Sequence, residues 1–152
     1  MTPKPEGDTA QAWPTERGST ILLAPIALLI VFMLGAITLE VASMHLRQRQ
    51  LHDLATSIAN DAATVGFDVD EFRSSGAITI DTGAAQSVIA PGIAISQIPE
   101  AIPSGFNVVP GAEPVVEINL SFTHDFVLGQ LIWGASTELT ANGEAALVPS
   151  AP

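Results

Sequence analysis

The sequence contains no cysteine among its 152 residues, and this absence excludes several kinds of chemistry at once. Disulfide bridges, thiol nucleophiles and thiolate metal sites cannot form without it. The absence does not fix the compartment, because exported proteins can also lack cysteine.

Basic residues are scarce. Five lysines and arginines stand against sixteen aspartates and glutamates, which gives a formal net charge of −11. Beyond Arg73 the chain carries seven acidic residues and no basic one. Such a surface repels phosphate backbones, so we expect no nucleic-acid partner.

Charge of either sign is absent from residues 19–39. A helix of these 21 residues spans roughly 30 Å, the thickness of a bilayer core. A cleavable signal peptide usually has an apolar region of about 7–15 residues and a small-residue cleavage site. This run is longer, and Val41-Ala42-Ser43 is a poor match to such a site. We therefore predict a retained transmembrane helix over residues 19–41, with four candidate anchor positions: Ser19, Pro25, Gly35 and Leu39.

Charge does not orient this helix, because Lys4 and Arg17 flank one end and Arg47 and Arg49 flank the other. The preceding tail, residues 1–18, is short and rich in proline, and we predict it to be disordered and cytoplasmic. The bulky part of the chain follows the helix, so we expect that part to be extracytoplasmic. The lipid bilayer is then the first predicted partner.

Helix signals continue beyond the apolar run. Neither glycine nor proline occurs at residues 38–65, and Gly66 is a natural stop. The sequence predicts one helix from about Ser19 to Val65, whose continuation at residues 42–66 is amphipathic. Its apolar face, predicted to pack on the remaining chain, contains Leu51, Leu54, Ile58, Ala62 and Val65.

The C-terminal part shows the alternation of β-strands. Residues 116–122 place apolar side chains on one face, and residues 139–147 repeat the pattern. Shorter strands are predicted at residues 77–80 and 106–109, and a short helix at residues 82–90. A connector follows that is marked by prolines: Pro91, Pro99, Pro103, Pro110 and Pro114. The prediction is an α+β fold, with the long helix packed on a small antiparallel sheet and residues 67–152 forming a small head.

Polar residues show no catalytic or ligand-binding pattern. His45 and His52 lie two helical turns apart, about 10 Å, which is too far for one metal ion. His124 and Asp125 lack an accompanying nucleophile motif. We expect no enzyme activity, no cofactor, no metal site and no small-molecule substrate.

Two further segments have specific expectations. The segment FDVDEF contains three carboxylates, those of Asp68, Asp70 and Glu71. It lacks the glycine and the distal glutamate of a calcium loop, so we expect a solvated acidic loop. Residues 126–135, FVLGQLIWGA, are too few to span a bilayer. We predict core between the last two strands, with a surface patch anchored by Trp133 as the alternative.

The order of these segments resembles the TadE/TadG-like proteins of the Flp (tight-adherence) pilus-assembly apparatus, in their short actinobacterial type. RGSTILLAPIALLIVFMLGAITLEV is similar to the family's opening Arg-Gly, its apolar run and the acidic residue near the end of that run, here Glu40. RQRQLHDLATSIANDAATVG is similar to the alanine-rich helix that follows. IDTGAAQSVIA and VVEINLSFTHDFVLGQLIWGASTELTANGEAAL are similar to the family's small helix and final strand pair.

The resemblance implies a pilin-like fold and a non-enzymatic minor pilin or pseudopilin-like component that works with other pilus-assembly or secretion proteins. In related type IV pilins a peptidase cuts after a glycine at the inner face of the membrane, which corresponds to Gly18, with Ser19 as the new N-terminus. Polymerising pilins carry a glutamate at the fifth residue after the cut. This chain departs from that pattern, because Leu23 occupies the position.

Two other classes stay open. The first is a signal-anchored extracellular binding module unrelated to pili. The second is a small exported enzyme, against which the lack of a catalytic constellation counts. A gene neighbourhood with a secretion ATPase and two polytopic membrane proteins would favour the pilus-assembly class, whereas an isolated gene would favour the binding module.

Overall fold

The computed structural model describes residues 17–127 and 136–148, with side chains from residue 23 onward. The chain divides into two units, Met1–Ala36 and Ile37–Pro152. The fold is α+β, as predicted: a long N-terminal helix packs on a small three-stranded antiparallel sheet. In chain order the elements are α1 (Arg17–Gly66), α2 (Val69–Ser75), α3 (Thr82–Ser87), α4 (Ile89–Ala94), β1 (Ile102–Val109), β2 (Val115–Asp125) and β3 (Ser136–Ala146).

Helix α1 has 50 residues and continues through Pro25, which confirms the prediction of one helix across the apolar and amphipathic parts. It ends at Gly66, as predicted. The glycine is not there to adopt the left-handed conformation that often ends a helix. Among the described residues only Gly76 has a positive φ. A Cβ on Gly66 would lie 2.8 Å from both Ala85 Cβ and Ile80 Cγ2, so close packing at the helix end explains this glycine.

Strand β2 is the middle strand of the sheet and pairs antiparallel with both neighbours. The strand predicted at residues 116–122 is confirmed within β2. The one at residues 139–147 is confirmed in β3 up to Ala146, and the one at residues 106–109 is the end of the longer β1. The strand predicted at residues 77–80 is wrong, because only a single bridge forms there, between Phe67 and Ile80.

The acidic segment was predicted as a loop, and this is wrong: it opens α2. The side chain of Asp68 accepts hydrogen bonds from the backbone N–H groups of Asp70 (3.1 Å) and Glu71 (2.9 Å). These bonds satisfy two of the free donors at a helix start. At the other end Gly76, with φ 76°, donates its N–H to the carbonyl of Phe72.

The single helix predicted at residues 82–90 is two short helices, α3 and α4. Asp81 caps α3 by accepting hydrogen bonds from the N–H groups of Gly83 and Ala84. Pro91 lies within α4 rather than in the predicted connector, in the first turn, where a helix does not need its N–H. Pro103 likewise lies in β1, at an edge of the sheet where the register shifts.

The core lies between the second half of α1, the helices α3 and α4, and one face of the sheet. Leu51, Ile58 and Ala62 are buried in it, as predicted. Leu54 only packs against its margin, and Val65 is 51% exposed, so its predicted burial is wrong. The buried face of α1 instead includes a set of alanines: Ala55, Ala59, Ala62 and Ala63.

Candidate functional site

The side chains that the structure describes in the apolar part of α1 are exposed or partly exposed. Every residue from 23 to 35 is exposed, with Leu23 59% and Phe32 70% exposed, and Leu39 beyond them is 74% exposed. Within the described residues this is the one helix long and apolar enough to cross a membrane. In a soluble protein an apolar core helix is buried by the surrounding chain. The exposure of these apolar side chains therefore argues against α1 being such a core helix here.

The predicted anchor positions lie along this part of α1. Gly18 and Ser19 fall in its first turn, and their side chains are outside the described residues. Pro25 is within the helix. A Cβ added to Gly35 would meet nothing within 4 Å, so packing inside the chain does not require a glycine there. Peptidase processing between Gly18 and Ser19 stays a prediction.

The second half of α1 approaches the sheet closely at Gly143 in β3. A Cβ on Gly143 would overlap the carbonyl carbon and oxygen of Ala55 and the amide nitrogen of Thr56. The backbones of strand and helix are therefore in direct contact, which a glycine in a strand permits. The alternation placed Gly143 on the inward face, but it did not identify this contact.

Polar contacts fix α1 beside the sheet and the loop after α4. Gln48 Nε2 donates to the carbonyl oxygen of Thr140 in β3 at 2.7 Å. Gln50 Nε2 donates to Gln97 Oε1 at 3.2 Å. These bonds extend the contact between helix and head toward the N-terminal end of the buried face.

The outer face of the sheet is polar and acidic. Glu117 in β2 is in register with Glu144 in β3 and with Asn107 in β1. Asn107 Nδ2 donates to Glu117 Oε2 at 3.3 Å, which leaves the facing carboxylate of Glu144 exposed to solvent. Like charges directly opposite on a sheet are destabilising, so the pair of Glu117 and Glu144 lowers the stability of the sheet locally.

An open cleft of about 770 Å³ lies beside the sheet, between the segment that follows α2 and the turn from β1 to β2. Phe72, Ile78, Ile80 and Val108 contribute its larger apolar side chains, and Pro110 and Pro114 close one side. None of the described residues that line it is titratable. The cleft is therefore an apolar concave surface, and the described residues that line it offer no group for acid–base chemistry.

The other residues considered for chemistry are dispersed. His45 and His52 are exposed on α1, and His124 packs its ring edge-to-face on Phe126, with ring centroids 5.4 Å apart. No group of three or more His, Asp or Glu side chains able to hold a metal ion occurs in the described part of the chain. Trp133 and the rest of the apolar segment from residue 128 to 135 lie outside the described residues.

No protein-family model, no curated protein and no solved structure matches the chain. The long apolar helix near the N-terminus is compatible with a single-pass membrane protein or a signal-anchored protein.

Proposed function

We propose that the chain is a non-enzymatic, single-pass membrane component of a Flp-type pilus-assembly or secretion apparatus, similar to a minor pilin or pseudopilin. One observation carries the proposal: α1 is apolar and uncovered in its first part and forms the core of the head in its second part. The sequence resemblance to TadE/TadG-like proteins supports it. In this proposal the N-terminus is cytoplasmic and the head is extracytoplasmic.

The anchor works through burial of apolar surface, and the head is the part that meets other assembly proteins. In polymerising pilins, a carboxylate in the apolar helix pairs with the amino terminus of a neighbouring subunit, because an unpaired charge in that environment is very costly. Leu23 occupies the corresponding position and cannot form this pair. We therefore propose a role in assembly rather than as the bulk subunit of a filament.

Deletion of the gene in its native host tests the proposal. Pili counted on the cell surface by electron microscopy should be lost or strongly reduced, and the intact chain should restore them. A tagged chain purified from native membranes should retain a secretion ATPase and polytopic membrane proteins. Normal pilus number and length without the gene would contradict the proposal.

A signal-anchored extracellular binding module is the second candidate, and the open cleft beside Phe72 and Val108 is the observation that favours it. Apolar concave surfaces with few polar groups are typical ligand sites. In that case the deletion would leave pili unchanged, and the Phe72→Ala substitution would weaken binding of an extracellular ligand without affecting membrane association.

A further inference from the structure

Helix α1 and strand β3 run side by side in the same direction. The side chain of Gln48 donates to the carbonyl oxygen of Thr140, and further along both elements the backbone of Ala55 lies against Gly143. From Gln48 to Ala55 the helix rises about 10.5 Å, and from Thr140 to Gly143 the strand rises about 10 Å. Helix and strand therefore advance by the same distance between the two contacts, which makes their axes nearly parallel.

This alignment gives the position of the sheet along α1. Asp125 and Ser136 are partners in the register, and they form the end of the sheet at which β2 finishes and β3 begins. Ser136 lies about 13 Å before Thr140 along β3, a distance equal to the rise of roughly nine helical residues before Gln48. This end of the sheet is therefore level with Leu39 on α1, to within about one helical turn.

Leu39 is also the residue at which the uncharged run of α1 ends. In the proposed membrane anchor the hydrocarbon core ends at this residue, and a headgroup layer of roughly 5–8 Å follows it. The end of the sheet at Asp125 and Ser136 consequently lies in the headgroup layer. The opposite end of β3, at Ala146, lies about 33 Å further along the strand and is outside the membrane.

An exposed apolar side chain is present at the end of the sheet that is level with Leu39. Val127 follows the last residue of β2 by two positions, so it lies within about 7 Å of Asp125. Its side chain is 82% exposed, and burial of such a side chain at a membrane surface is favourable. The headgroup layer is polar, so the exposed carboxylate of Asp125 remains solvated there.

We propose that this end of the sheet contacts the bilayer, with Val127 inserted at the boundary between the headgroups and the acyl chains. The contact rests on the membrane anchor of the proposed function. It gives the head a second attachment to lipid beside α1, which restricts its tilt. It also directs the opposite end of the sheet away from the membrane, where other assembly proteins can reach it.

Spin labels on the full chain, reconstituted into phosphatidylcholine vesicles, test this contact. The chain lacks cysteine, so each variant carries a single label. The variants are Val127→Cys, Leu39→Cys as the reference for depth, and Val148→Cys as the matched control. Val148 is another exposed valine, 65% exposed, and it follows the opposite end of β3. Electron paramagnetic resonance measures how often each label collides with oxygen, which concentrates in lipid, and with a water-soluble nickel chelate on both sides of the membrane.

We expect the ratio of oxygen to chelate collisions at Val127 to be close to that at Leu39, and the ratio at Val148 to be severalfold lower. A ratio at Val127 as low as that at Val148, with Leu39 in lipid, would overturn the proposal and leave the anchor standing. Protection of Val127 from both reagents would also overturn it, because such protection indicates contact with another protein chain. A Leu39 label in water, or a chain that fails to incorporate into vesicles, would contradict the membrane anchor and this contact with it.

Discussion

Replacing Gly143 by alanine is expected to lower the stability of the head by about 3 kcal/mol, which corresponds to a fall of about 10–20 °C in its melting temperature. The added methyl group would overlap backbone atoms of Ala55 and Thr56, and a helix backbone cannot move aside as a side chain can. The direction of the change in stability is informative, because glycine inside a strand is otherwise less favourable than alanine by roughly 0.5–1 kcal/mol. Without the close contact, the substitution would therefore stabilise the head. The measurement is thermal unfolding of the full chain in detergent, followed by circular dichroism.

Gly105→Ala is the matched control, since Gly105 is also a glycine within a strand. Its added Cβ would lie 3.0 Å from Asn119 Nδ2, the end of a flexible side chain that can shift. We expect a change of less than about 1 kcal/mol for this variant, the usual limit for a tolerated small change in packing. Equal melting temperatures for the Gly143 and Gly105 variants would contradict the close contact between α1 and β3.

Truncation of Ile58 to alanine is expected to cost about 2–5 kcal/mol, because the side chain is 2% exposed at the centre of the core. Leu51, which is fully buried, should give a similar loss. Leu54→Ala should cost about 1 kcal/mol, the lower end of such effects, since Leu54 only packs against the margin of the core. Denaturant unfolding of the full chain in detergent gives all three values.

Asp53→Ala provides the control on the opposite side of α1, where the residue is exposed. A surface substitution of this kind is expected within about 0.5 kcal/mol of the unaltered chain. If Ile58→Ala also falls within that range, α1 is not part of the core of the head. A flexible linker between the apolar helix and a separate module would then describe the chain better.

The main architecture could be predicted because each element has a strong local pattern. The uncharged run is visible in one continuous stretch of sequence. The spacing of Leu51 and Ile58 marks one face of a helix, and the alternation in β2 and β3 marks one face of a strand. The short elements were less predictable. Asp68, with Glu71 three residues later and Gly76 beyond, is a start and a stop signal for α2, but the density of carboxylates in FDVDEF favoured a loop.

Contacts between distant segments could not be derived from periodicity alone. Val65 continues the apolar spacing of α1, yet it is 51% exposed, whereas Ala59 and Ala63 are buried. The close approach of Gly143 to the backbone of Ala55 depends on how the strand packs against the helix. The only sign of it in the sequence is a glycine inside a strand. That α1 is long and apolar enough to cross a membrane follows from its composition, whereas its partners do not.

If the first part of α1 lies in a bilayer and the second part in the head, cysteine labelling in spheroplasts should distinguish the two parts. A membrane-impermeant maleimide is applied to chains that carry a single cysteine at Val31 or at Ser57. Both residues are exposed in the protein itself, Val31 by 65%, so protection of Val31 that ends when the membrane is dissolved comes from the membrane and not from the chain. We expect labelling of Ser57→Cys on intact spheroplasts, and labelling of Val31→Cys only after the membrane is dissolved in denaturing detergent. Labelling of Val31→Cys in intact or lysed membranes would contradict it.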